Sequence, residues 1–262
     1  MNANKATPMT LADVAPESVL LAGAGRAILL QLAHPAVGHG VARHSNFASD
    51  PLKRFHGTLA YIYALSNGTA GQRKTVQRQV QRSHLPVKAA ASGDVPAYSA
   101  ADPHLQLWVA ATLYESACQT YDVVFPALSE SDAESVYRSY AVLGTALGMP
   151  AELWPESRAD FAVYWEDQLA RLHVDDTVRA VAAELLAARA APWWIRAAMP
   201  LARFLTAGML PPHVRQMYAL TWSPRSDWLL RLFFGSAAKL VPLVPEKVRH
   251  APMHYYLKHI PA

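Results

Sequence analysis

The residues of this chain best suited to chemistry are Arg54, Thr58 and His84. In the stretch RKTVQRQVQRSHLPV, the apolar positions in line are Val76, Val80 and Val87. At about 100° per residue, positions 76, 80, 84 and 87 fall within an arc of about 80°, which places His84 on the inward stripe of an otherwise polar helix. An imidazole facing an apolar interior needs a partner for each ring nitrogen. Two roles meet that need: a core histidine bonded to a backbone carbonyl, or an axial ligand to haem iron with its other nitrogen held by an acceptor. Arg54, Thr58, Tyr61 and Leu65 form a second line at i, i+4, i+7 and i+11, beside the core face Leu52, Phe55, Leu59 and Ile62. An arginine at the border of a core must meet a carboxylate, a carbonyl or a ligand's anionic group. No glutamate occurs between Glu17 and Glu115, which leaves Asp50 at i−4, Asp94 and Asp102 as nearby acids.

Other motifs point to less. Gly23-Ala24-Gly25-Arg26 lacks the third glycine and the preceding strand of a dinucleotide loop, so its small residues are expected to allow close helix packing. No G-x-S-x-G elbow is present, and Cys118 lies within an apolar helical stretch where a thiol is inert. His34, His39 and His44 are spaced by five, which turns each about 140° from the last on one helix, so they do not converge as ligands. His250 and His254 stand at i, i+4 and read as a surface pair. The zinc-protease motif H-E-x-x-H is absent.

The elements that must carry these residues are helices. Asp50-Pro51 and Asp102-Pro103 each supply a capping aspartate and a proline at the first helical position. Periodicity predicts helices over 16–33, 50–66, 70–85, 102–125, 129–147, 157–172, 175–189, 193–208, 212–220 and 225–239, separated by short Gly/Pro turns. The stretch 102–125 is apolar nearly all round and should be central and buried. No strand alternation or repeat period appears, so the expected fold is all-α: one domain of about ten helices over residues 1–262, with a loose N-terminus over 1–14.

Composition supports a large interior. The 262 residues are 52% hydrophobic and only 17% charged, and one cysteine excludes an intrachain disulfide framework. No window reaches the ~18 uninterrupted apolar residues of a membrane span, and the N-terminus lacks a signal peptide's apolar core, so a cytoplasmic location is expected. Charge is unevenly spread. Residues 1–100 carry ten Lys/Arg against four Asp/Glu, residues 101–190 five against fourteen, and residues 191–262 nine against two. No concentrated basic patch with a nucleic-acid reading motif accompanies this, so nucleic acid is not an expected partner. The last block also holds Trp193, Trp194, Trp222, Trp228, Phe233, Phe234, Tyr255 and Tyr256, a mixture that could lean on a membrane or on apolar ligands.

The stretches GRAILLQLAHPAVGHGVARHSNF, DPLKRFHGTLAYI, SHLPV and YSAADPHLQLWVAATL resemble the catalytic domain shared by latex clearing proteins and the oxygenase MpaB, as does the later MLPPHVRQMYALTWSPRSDWLLRLFF. The resemblance covers roughly residues 15 to 255. It implies a globin-related helical core holding non-covalent haem b, and cleavage of carbon–carbon double bonds in isoprenoid chains by dioxygen. His84, in H-x-x-V, matches the proximal haem histidine. Arg54 and Thr58, in R-x-x-x-T, match the pair beside the haem required for activity. The chain departs from the pattern in three places. Gly57 stands where latex clearing proteins have a lysine that can cap the iron. No glutamate precedes Arg54 where they have a proposed base. Trp108-Val109-Ala110-Ala111-Thr112 replaces the W-V-H-A-T of many small bacterial relatives. The expected function is therefore a haem-dependent oxygenase of an apolar, unsaturated substrate. A non-catalytic helical protein binding haem or a hydrophobic ligand is the alternative.

Overall fold

The computed structural model describes residues 7–44, 51–91 and 97–261. Helix α1 (Leu11–Val14) and a 3-10 turn (Ser18–Gly23) lead into α2 (Ala24–Ala33). The chain bends by 98° at His34 into α3 (Pro35–His44). Helices α4 (Pro51–Asn67) and α5 (Ala70–His84) follow, then a two-residue antiparallel pair, β1 (Lys88–Ala89) and β2 (Tyr98–Ser99). Helix α6 (Pro103–Val124) begins the second half, succeeded by α7 (Glu130–Tyr140), α8 (Val142–Thr145), α9 (Arg158–Ala170) and α10 (Asp176–Ala187). The chain then runs through α11 (Trp193–Met209), α12 (Pro212–Met217), α13 (Pro224–Leu240), α14 (Glu246–Arg249) and α15 (Ala251–His259). The class is all-α, as the periodicity predicts. The expected ten helices are exceeded because α1, α3, α14 and α15 form outside the expected ranges and the helix expected over 129–147 breaks into α7 and α8.

Helix α6 is the central element. Asp102 caps it by accepting from the His104 N–H at 2.8 Å, and Pro103 occupies its first turn. Leu107, Trp108, Ala110, Ala111 and Tyr114 are buried in a core reaching from Leu11 to Ile260. Tyr114 anchors an aromatic cluster, meeting Tyr137, Tyr140 and Phe161 edge-on at 4.9–5.2 Å between ring centres. The close packing expected of Gly23 and Gly25 is present. A Cβ on Gly23 would lie 2.6 Å from Thr120 Oγ1, and one on Gly25 would overlap Thr206. Thus the 3-10 turn and α2 press against α6 and α11 backbone-close.

Three expectations are corrected. The N-terminus is not loose throughout residues 1–14, because Leu11 and Val14 are buried and Thr10 caps α1 with a capping box. His250 is not half of a surface pair. Its Nε2 lies 3.1 Å from Glu17 Oε1 and its Nδ1 3.6 Å from Glu246, a carboxylate one turn away. Arg249 pairs with the same Glu17, so the two residues tie the chain's C-terminal region to its N-terminal one. Helices α3, α14 and α15 and the β1–β2 pair were not foreseen from periodicity.

Candidate functional site

A two-residue connection, Gly68-Thr69, joins α4 to α5 and forces them antiparallel. Thr69 and Gln72 form a capping box that fixes the start of α5. At 1.5 Å per residue, Arg54 lies about 20 Å before the end of α4 and His84 about 21 Å after the start of α5, so the two stand level on adjoining helices. The electrostatics agree with that placement. The His84 imidazole is held below its usual 6.5, first by burial and then by the positive charge of Arg54. Both influences favour the neutral ring. No hydrogen bond occupies either ring nitrogen of His84 among the described residues.

The stripe leading to His84 grades outward. Val76 is buried, while Val80, His84 and Val87 are half-buried. The line on α4 grades likewise, with Leu65 and Tyr61 in the core and Thr58 and Arg54 exposed. The Tyr61 hydroxyl donates to the Leu143 carbonyl at 2.9 Å and pins α4 to α8. Burial pulls the Arg54 guanidinium below its ordinary value, although its side chain keeps contact with solvent. Gly57, between Arg54 and Thr58, faces open space, since a Cβ there would meet nothing within 4 Å. Arg54 also engages its surroundings. The Asp50 cap and the Asp50–Arg54 pair weighed from the sequence, together with Asp94, fall outside the described residues.

These residues fit the donor requirement of a haem. A neutral imidazole with an unoccupied nitrogen is the ligating form, and a neighbouring guanidinium is suited to a propionate. Among the described residues no three His, Cys, Asp or Glu side chains gather as a metal ligand set. A macrocycle that brings its own four nitrogens needs only one histidine.

Two features escaped the reading of the sequence. Arg26 is buried and bonds the Met209 carbonyl and Ser116 Oγ, each at 2.8 Å, and pairs with Glu115. Burial draws its guanidinium downward while Glu115 supports the charge. Arginine followed by an apolar run was the available signal. The second feature is His34 at the α2–α3 bend. Its Nδ1 is buried without a partner, its ring lies 6.4 Å from that of Trp108, and burial lowers its pKa. His39 pairs with Asp175 at 2.9 Å. Burial pushes the Cys118 thiol up to about 12, which keeps it protonated and unreactive.

Fold and site together define an all-helical protein with a neutral histidine and a guanidinium on two antiparallel helices. Residues 13–239 match the family described as the ER-bound oxygenase mpaB/B′ and rubber oxygenase catalytic domain, and the chain belongs to that family. The uncharacterized proteins Mb2261 of Mycobacterium bovis and Rv2237 of Mycobacterium tuberculosis are each 35% identical to it over 224 residues, covering 82% of this chain and 87% of theirs. No solved structure matches it.

Proposed function

We propose that this chain is a haem b-dependent oxygenase that uses dioxygen on an apolar, unsaturated, isoprenoid-like substrate. The observation that carries the reading is the pairing of a neutral, ligand-ready His84 with the Arg54 cation in a chain of the oxygenase family. His84 would hold the iron, and Arg54 would meet a propionate or another anionic group at the same wall. Haem, when bound, supplies the redox chemistry that dioxygen requires.

The residues of this chain then do the rest. Arg54 brings fixed positive charge to a partly desolvated wall, where it stabilises developing negative charge without reorganisation. Thr58, one turn further along α4, offers a hydroxyl that both donates and accepts a hydrogen bond. Gly57 leaves volume beside them in place of a lysine side chain. With no glutamate between Glu17 and Arg54, a proton needed at this wall would come from water, the substrate or another histidine such as His44. The low charge content and large apolar interior suit a substrate without polar handles.

The same gap favours the alternative of a haem- or hydrophobic-ligand-binding protein without catalysis. Purified and haem-reconstituted protein should show a Soret band that His84→Ala abolishes. A chain that stays colourless after reconstitution would sink the oxygenase and the haem-binding form of the alternative, leaving only a hydrophobic-ligand binder. Oxygen consumption with a panel of isoprenoids, dependent on Arg54 and Thr58, separates the enzyme from the binder.

A further inference from the structure

The outer face of α13 carries an inference independent of oxygen chemistry. Phe234 is the residue of α13 that is buried, with Leu230, Phe233 and Ala237 packed beside it against Val124, Leu205 and Met209. Trp228, Leu229, Leu232 and Leu240 stand exposed, Trp228 by 55% and Leu232 by 52%. At about 100° per residue these four span an arc of about 120° opposite Phe234. Exposed Arg225 and Lys239 lie within that arc, and exposed Arg231 lies about 60° outside it, midway between its edge and Phe234. The one acid of α13, Asp227, is on the other side of the helix and accepts the Trp222 indole N–H at 2.6 Å. Past the helix the surface continues through Leu243, 77% exposed, and Val248, with Lys247 between them and Glu246 near His250.

We propose that this face seats the protein on an anionic membrane surface. Trp228, Leu229 and Leu232 enter the headgroup boundary, and Arg225, Arg231 and Lys239 meet lipid phosphates. Large apolar side chains ringed by cations are the pattern that partitions into an anionic interface, where tryptophan is favoured and each cation adds attraction. Charge decides against a symmetric second copy. An isologous contact would bring Arg225, Arg231 and Lys239 onto a copy of the same face, where α13 offers no acid to meet them. The start of α11 repeats the composition, with Trp193 and Trp194 exposed beside Arg196 and Arg203. No single helix among the described residues is long and apolar enough to cross a membrane, so the contact is a seat rather than a span.

Flotation of the full-length protein with vesicles tests this, comparing phosphatidylcholine alone with the same lipid containing about one third phosphatidylserine. Binding to the anionic vesicles should weaken at high salt, because the distance over which the cations and the lipid phosphates attract one another shortens. It should fall about 25-fold in Arg225→Gln/Lys239→Gln, at about fivefold per cation. It should fall at least about tenfold in Trp228→Ser/Leu232→Ser, which leaves the charge untouched. Arg73→Gln/Arg78→Gln, on the exposed side of α5, controls for generic attraction and should bind as the parent does. Circular dichroism melting verifies that each variant folds. Absence of binding to anionic vesicles, equal loss in the α5 control, or retained binding in the Trp228/Leu232 variant would overturn the proposal. So would a lipid-free dimer that the α13 substitutions dissociate, since it would assign the face to a second copy.

Discussion

At His84, burial and the Arg54 charge act in the same direction, and the consequences are measurable. The unfolded imidazole titrates near 6.5 and the folded one lower. Between those values the unfolded chain holds the extra proton. The contribution to stability is therefore complete above 6.5 and is lost as pH falls through 6.5 toward the folded value. Haem affinity should follow the same course in a spectroscopic pH titration, level at neutral pH and falling on acidification, because ligation competes with the proton. Arg54→Gln should move the His84 titration upward toward 6.5 in an NMR experiment on the imidazole protons. An unchanged titration would show that the two side chains are not electrostatically coupled. The placement of this histidine and this arginine on helix faces was legible from period and spacing, whereas the roles proposed for them rest on the resemblance to a family. The exposure of the two side chains was not legible, since it depends on which parts of the fold come to lie against α4 and α5.

At the scale of elements, caps and periods marked most long helices to within a residue or two. Asp102-Pro103 is a local signal that needs no tertiary context, and the Thr69/Gln72 capping box at the start of α5 is another, one the reading of the sequence did not use. Helix α3 was missed because Pro35, Gly38 and Gly40 are weak helix formers that dilute the local signal. It forms because Val41 and Ala36 find core space and Gly38 lets Val178 of α10 come close. The β1–β2 pair is too short to show alternation. The close approach of α2 to α11 makes a direct prediction. Gly25→Ala would put its methyl into Thr206 and should cost about 1–3 kcal/mol in denaturant unfolding. A compensating Thr206→Ala should recover part of that loss, and strict additivity of the pair would refute the steric account. A single alanine inserted after Val76 should rotate His84 by about 100° and eliminate haem binding while leaving the helix content intact.

Across the whole molecule, distant stretches meet in interactions that local patterns do not announce. Arg26 and Glu115 join α2 to α6 beneath the aromatic cluster, with the guanidinium 5.8 Å from the Trp165 ring centre. Glu115→Gln should leave the buried cation uncompensated and lower stability by about 2–3 kcal/mol, at the modest end because Glu115 is partly exposed. A change under about 0.5 kcal/mol in chemical unfolding would show that the Met209 carbonyl and Ser116 suffice. Helix α15 covers the opposite side of α4, where Met253 packs with Leu59 and Tyr63, and Gln72 Nε2 donates to the Leu257 carbonyl across 185 residues of sequence. That distance is also an interval in time. At ribosomal rates of about 5–20 residues per second, the α4–α5 hairpin waits roughly 10–40 seconds before its cover is synthesised. During that interval Leu59 and Tyr63 form an open apolar strip, available to chaperones and to one another in neighbouring chains. Covering of the α4–α5 hairpin is thus a late event in the life of the nascent chain.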